Sequence, residues 1–439
     1  MTPGARLQAV IDLFDAIRTG GKPADQVMHD YFRQRKYIGS KDRKDVAGTL
    51  YDLLRHFGRL SWWAEQLNIK VNGRGLLLLW LSIGSGKRLK DIADLFDGAG
   101  YAPDSLKGFE RDLIDAIHDK DFMPVEMPEA ARLECPGWAY ESLKRQFGDA
   151  LATEMEALQE EAPLDLRVNT LKAGVDSAAK KLRHSEIDVK PTPFSPLGLR
   201  VTGRPNFSAH ALYRDGAIEV QDEGSQLLSL LCGVKPGEWV VDFCAGAGGK
   251  TLALAAQMQN KGRLWACDVE KNRLENSRKR LRRAGVHCVQ MQLLDDENDD
   301  WVKKHKEMAD CVLIDAPCSG TGTWRRNPFS RWQDLGPSLK TLTDLQARIL
   351  KSASRLVKPG GRLVYATCSL LPEENQGQVE RFLKEHGGFE PLALTENWRM
   401  SDFSIPDVLD LSTHHLQLTP AQHGTDGFFV AALRKTRIA

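Results

Sequence analysis

The chain has 439 residues, a formal net charge of +1, 42% hydrophobic and 27% charged residues. At ~150 residues per domain that length suggests two or three domains, with the composition of a water-soluble globular protein. A net charge so close to zero excludes global basicity as the sign of a nucleic-acid partner, so local clusters must carry that argument. The run GLLLLWLSIG is about half the ~20 residues a bilayer span needs. Asp12 and Asp15 interrupt the N-terminal apolar run, so no signal peptide is expected and a cytoplasmic location is. None of the eight cysteines forms a CxxC pair, which excludes zinc-site spacing and leaves no metal expected.

Residues 1–125 are expected to be helical. Leu7, Val10, Ile11, Phe14 and Ile17 follow helical spacing, as do Val46, Leu50, Leu53, Leu54 and Phe57 behind a candidate N-cap at Ser40. Leu113, Ile114 and Ile117 mark another helix. Pro124, Pro128 and Pro136 then punctuate a linker, which opens a small α+β segment over 126–215 containing the strand LDLRVNTLK. From 216 to 439 strands and helices alternate. WVVDF, RLWACD, CVQMQL, DCVLID and RLVYATCS are the apolar strands, and KNRLENSRKRLRRAG and DLQARILKSASRLVKPGG are helices between them. That alternation predicts a doubly wound α/β domain, with DGFFVAALRK as an antiparallel edge strand.

The first strand of this domain runs into VVDFCAGAGGKT. Gly246, Gly248 and Gly249 allow a tight turn and close approach to a ligand. The spacing is G-x-G-G, not the G-x-G-x-x-G of dinucleotide sites. Position 244 is Cys, so the first glycine of a P-loop is missing too. Asp268 ends the next strand, where an acid suits ribose hydroxyls. A glycine loop and a ribose acid without a phosphate clamp fit S-adenosylmethionine. The loop Cys244, Ala245, Gly246, Ala247, Gly248, Gly249 and Lys250 is therefore the expected cofactor site, with Asp268.

Two cysteines stand where strands give way to loops: Cys318 in IDAPCSGTG and Cys368 in YATCSLLPEEN. Cys232, Cys267, Cys288 and Cys311 lie in apolar runs and are expected to pack in cores. Methylating the 5-carbon of a pyrimidine is hard because that carbon is weakly nucleophilic. A thiolate added at the 6-carbon turns the ring into an enamine-like nucleophile. Asp315 could bond the pyrimidine edge. The residues alone do not decide which cysteine attacks.

DFCAGAGGKT, CDVE, DAPCSGTG, RRNP and YATCSLLPEEN occur in this order, and in that they resemble the RNA cytosine-5 methyltransferases of the Nop/Sun type. RVNTLK, VQDEGSQLL and CPGWAYESLKRQFG extend the likeness upstream. The helical N-terminus is similar in character to the NusB-like RNA-binding domain of the bacterial 16S ribosomal RNA enzymes. The resemblance implies a class I, Rossmann-like methyltransferase domain. DNA enzymes attack through the Pro-Cys motif, whereas RNA enzymes place the nucleophile in the later Thr-Cys. Cys368 thereby takes the nucleophile role and Cys318 helps release the product. The family loop often has proline where this chain has Ala247. Its adenine-binding acid corresponds to Asp295 or Asp296, and Asp315 is expected near the cofactor as well.

RNA is the expected partner. TWRRNPFSRW follows Cys318 and combines Arg325, Arg326 and Arg331 with Trp324, Phe329 and Trp332, charge for phosphates and rings for stacking. Arg167 in RVNTLK belongs to the same expectation, and FRQRKYIGSKDRK is a second basic stretch. The basic helix Lys271–Arg283 reads more simply as a solvated face. The target base must leave its stack to reach a thiolate. The reading is a monomeric methyltransferase of cytosine in RNA, 16S rRNA first. Transfer-RNA methylation is the rival activity, and an inactive RNA-binding assembly factor the rival of another class.

Overall fold

The computed structural model describes residues 1–333, 336–398 and 409–437. It divides into two compact units, Met1–Glu160 with Trp324–Gly336, and Glu161–Thr323 with Pro337–Ala439.

The first unit is helical. Its opening helix, Pro3–Thr19, starts behind Thr2, whose side chain accepts from Ala5 N, and has proline at its first position. Val10, Phe14 and Ile17 are fully buried at the spacing read from sequence, and Leu13 joins them. The helix Ser40–Arg55 begins at Ser40 itself. Gly39 is its N-cap and provides no side-chain bond, so the expected serine cap is one position off. GLLLLWLSIG becomes the helix Gly73–Leu79, capped by Asn72, and a π turn at Trp80–Gly84, both sunk in this core. Among the described residues no helix is long and apolar enough to cross a membrane.

The helical unit takes in a distant strap, Trp324–Gly336. Phe329 packs edge-on to Phe14 and Phe57, at ring-centroid distances of 5.9 and 5.0 Å. Trp332 lies over Gly58, where an added Cβ would come within 2.7 Å of the indole, so only glycine fits.

The second unit holds two sheets. Strands β1 (Leu164–Val168), β2 (Val189–Pro191), β3 (Gly198–Val201) and β4 (Ile218–Val220) form an antiparallel sheet in the order β2-β3-β1-β4. Leu166, Val168, Leu199 and Ile218 pack there against Ala178 and Leu182 of the helix Val175–His184. Residues 126–160 group with the helical unit, and the small sheet takes its fourth strand from beyond 215.

The larger sheet is built from β5 (Trp239–Asp242), β6 (Arg263–Asp268), β7 (Val289–Leu293), β8 (Ala309–Asp315), β9 (Val357–Thr367), β10 (Phe389–Pro391), β11 (His415–Leu418) and β12 (Phe428–Lys435). The order is β10-β12-β9-β8-β5-β6-β7, with β11 also pairing β12. Strands β9 through β7 are parallel. DGFFVAALRK pairs antiparallel with β9 as expected. It is not an edge, because β10 and β11 pair with it. Alternate residues feed two cores. Val240, Leu264, Leu313 and Val364 pack on one face. Val241, Trp265, Val312, Leu363 and Tyr365 pack on the other. Both faces are covered by helices, which is why these strands read as continuous apolar runs. The chain reverses direction across the sheet between β5 and β8, and ligands of open α/β sheets bind at the carboxyl ends beside such a switch.

Candidate active site

The carboxyl ends of β5, β6, β8 and β9 deliver the residues singled out from sequence. After β5 the loop turns at Gly246 and Gly248, both with positive φ, and enters the helix Gly249–Gln257. A Cβ at Gly248 would lie 2.9 Å from Ser277 Cβ. Asp268 Oδ2 accepts from Gly246 N at 2.7 Å and Oδ1 from Glu270 N at 2.8 Å, so the backbone itself aims this carboxylate. Buried Asp242 accepts from Thr251 Oγ1 at 2.7 Å, and among the described residues its Oδ1 has no partner. Burial pushes its carboxyl up to about 7, against the Thr251 bond.

A cavity of about 340 Å³ opens beside this loop, lined by Asp268, Asp295, Asp296, Asp315, Arg273 and apolar groups including Phe243, Val269 and Leu294. Its size suits a nucleoside-sized ligand. Its acids suit ribose hydroxyls and the positive charges of S-adenosylmethionine, and its apolar walls suit adenine. Asp296 Oδ1 already accepts from Asn298 N, at 2.7 Å, which leaves Asp295 the less engaged of the two acids. Sequence reasoning did not single out Phe243, Val269 or Arg273, because nothing in their spacing marks a wall.

Asp315 ends β8 and accepts from Lys250 Nζ at 2.6 Å. Burial works against the Lys250 ammonium, but the adjacent Asp315 outweighs it and raises its pKa. Cys318 and Cys368 come together 3.4 Å apart, sulfur to sulfur. The hydrogen bond to Cys368, with burial, pushes the Cys318 thiol well above its ordinary range, and either sulfur can be the donor of the pair. Cys232, Cys267 and Cys311 are buried in cores, while Cys288 is half-buried.

The two cysteine loops are joined by a buried carboxylate that sequence reasoning quoted but gave no role. Glu374 accepts from Ser319 N at 2.8 Å, Ser319 Oγ at 2.5 Å, Ser369 Oγ at 2.5 Å and Gln346 Nε2 at 3.0 Å. Gly322 N donates to Cys368 O, and Leu370 N to Thr321 Oγ1. The acids after the proline in YATCSLLPEEN were the available signal, since a buried polar group must find partners.

The expected RNA contacts divide. Arg331 is 1% exposed, and its guanidinium donates to the carbonyls of Glu134 and Leu158 and packs over Trp324. Burial lowers its pKa to about 10. It is a strut of the helical unit, a correction to its expected phosphate role. Trp324, Arg325 and Phe329 are buried as well, and Arg326 is half-buried. In the second basic stretch Arg43 donates to Ile38 O, while Lys36, Lys41 and Lys44 are exposed. Arg167 is 4% exposed and donates to Gln221 Oε1 and Gly249 O. Among the described residues no group of three His, Cys, Asp or Glu side chains could hold a metal ion.

A doubly wound sheet with a glycine loop after its first strand and an acid ending the second defines a class I S-adenosylmethionine-dependent methyltransferase. The comparisons narrow this further. Residues 229–434 match the family 16S rRNA methyltransferase RsmB/F, and residues 135–208 match the RsmF/B-like ferredoxin-like domain. The chain is 32% identical over 413 residues to the ribosomal RNA small subunit methyltransferase B of Salmonella newport, covering 91% of this chain and 92% of that one. It is 33% identical over 306 residues to a probable ribosomal RNA small subunit methyltransferase B of Synechocystis, covering 68% and 66%. The solved structure of PH0851 superposes with a TM-score of 0.76 over 98% of this chain and 99% of that one, at 28% identity. The chain belongs to the RsmB/F family of 16S rRNA methyltransferases and is an S-adenosylmethionine-dependent RNA methyltransferase.

Proposed function

We propose that this chain methylates the 5-carbon of a cytosine in 16S rRNA through a covalent bond between Cys368 and the 6-carbon. The observation that carries the reading is the pair of thiols at the ends of β8 and β9, 3.4 Å apart. A packing role needs no such pair, and the Glu374 network holds both loops while both cysteines stay only half-buried.

In this reading Asp268 and the loop Cys244–Lys250 hold S-adenosylmethionine, with Asp295 at the adenine and Asp315 close by. When bound, that group supplies an electrophilic methyl. Cys368 attacks the 6-carbon as the thiolate, and the bond's electrons make the 5-carbon nucleophilic. Asp315, oriented by Lys250, bonds the pyrimidine edge. Once the 5-carbon carries its methyl, it loses its proton to a base. The ring electrons then return and expel Cys368 as thiolate. Cys318, 3.4 Å from Cys368, assists that departure. The target base leaves its stack to reach Cys368.

The test is labelled-methyl transfer to RNA from a strain lacking the gene, followed by bisulfite mapping. Label at the 5-carbon of a 16S cytosine is the expected result. Label confined to transfer RNA, or none at all, would overturn it in favour of the transfer-RNA or binding-factor reading.

A further inference from the structure

A second cavity, of about 300 Å³, lies on the other side of the glycine loop. Arg167, Glu219, Gln221, Lys250, Arg280 and Asp315 line it. Cys244 and Asp315 border both cavities, so the two meet at the carboxyl end of β8. Two of the three cations here have carboxylates: Lys250 has Asp315 at 2.6 Å, and Arg280 has Glu219 at 3.0 Å. Glu219 is also bound by Arg283. Arg167 has only the neutral oxygens of Gln221 and Gly249 and, among the described residues, no ion-pair partner. The charge of Glu219, its cross-strand neighbour, reaches Arg167, but Arg280 and Arg283 already bind that carboxylate, and two dipolar acceptors do not make up the rest for a guanidinium taken almost wholly out of water. The missing partner is an anion, and the cavity is where it would enter.

We infer that this cavity is the subsite for a phosphate flanking the target nucleotide, with Arg167 as its anchoring contact. The inference rests on the RNA-methylation reading and adds where the acceptor backbone is held. The cavity also borders the glycine loop from Cys244 to Ala247, so the carboxylate of the methyl donor is the competing anion, and the donor-affinity arm of the test separates the two. Arginine matches phosphate oxygens with a planar fork that a second bound oxygen can complete. A phosphate held here places its nucleotide beside Asp315, at the wall shared with the donor cavity.

The experiment measures affinity of Arg167→Gln and Arg167→Lys for a 16S rRNA fragment carrying the mapped cytidine, across a salt series. Arg167→Gln should bind about tenfold more weakly, and its log K against log salt slope should fall by about 0.7, the value for one single-strand phosphate. Arg167→Lys should keep the slope. Affinity for S-adenosylmethionine should not change; if it falls with the slope intact, the donor's carboxylate is the partner and the proposal is overturned. An unchanged slope with a lowered melting temperature would make Arg167 a strut. Should Arg167→Gln fail to fold, wild-type protein is titrated with the same RNA bearing one neutral methylphosphonate on either side of the cytidine. The same loss supports the subsite, and none at either position overturns it. Methyl transfer by the wild type is scored separately, so this subsite can fail while the function stands.

Discussion

The Cys318 loop and the strap that starts at Trp324 are neighbours in sequence, and both bury polar groups, yet they spend them in opposite ways. Around Cys318 the carboxylate of Glu374 takes four hydrogen bonds, and the loops it fixes leave two sulfurs facing each other. In the strap, Arg331 directs its donors to backbone carbonyls, Trp138 Nε1 donates to Arg331 O at 3.1 Å, and Trp324 closes over the guanidinium. One network is a scaffold for groups it leaves available; the other consumes its own charge. Burial is the same in both, and only the destination of each donor separates chemistry from structure.

That contrast can be broken at both ends. The largest effect is expected for Cys368→Ala, which should reduce methyl transfer to background while leaving the melting temperature and S-adenosylmethionine affinity nearly unchanged; residual multiple turnover would remove Cys368 from the chemistry. Cys318→Ala should still attack RNA but stall, giving a denaturant-resistant protein–RNA adduct on a gel that disappears when Cys368 is also replaced. An adduct surviving loss of Cys368 would reverse the two roles.

Next in size is the strap. Trp324→Ala removes a buried indole and should cost about 3–5 kcal/mol of stability. Turnover per folded molecule, measured after the folded fraction is quantified, should stay within about twofold, since 0.4 kcal/mol is already that factor. A larger loss would give the strap a part in catalysis. Glu374→Gln sharpens the other side. Losing one charged hydrogen bond, about 1.5–3 kcal/mol, should lower turnover about ten- to a hundredfold with donor affinity unchanged. Equal turnover would reduce Glu374 to packing.

The smallest effect concerns pH. Burial raises the Glu134 carboxyl in the helical unit to about 7, against the Arg59 N bond and the Arg59 and Arg331 charges. A folded value above the unfolded one means that this contribution to stability is complete below pH ~4.5 and is lost as pH rises through about 7. Glu134→Gln should therefore flatten the fall in melting temperature between pH 5 and 8. Asp242, shifted the same way, would leave a residual slope. A slope identical to wild type would mean Glu134 stays ionised throughout.

Sequence by itself determined the order of helical and α/β parts, six of the eight strands of the larger sheet, the glycine loop and the positions of both cysteines at strand ends. Those features are local: an apolar run with a period, or a short motif whose residue types suit one chemistry. It could not determine that 324–333 turns into the helical core, since a basic aromatic segment has one composition whether it faces RNA or fills a core. It also could not close β12 with β10 and β11, because edge and interior strands differ in their partners rather than their residues. Glu374 and Arg167 stood in quoted motifs, but their meaning depends on which donors and charges surround them. The tertiary structure decided that, by surrounding each with groups distant in the chain: Glu374 with Ser319, 55 positions away, and Arg167 with Gly249, 82 positions away.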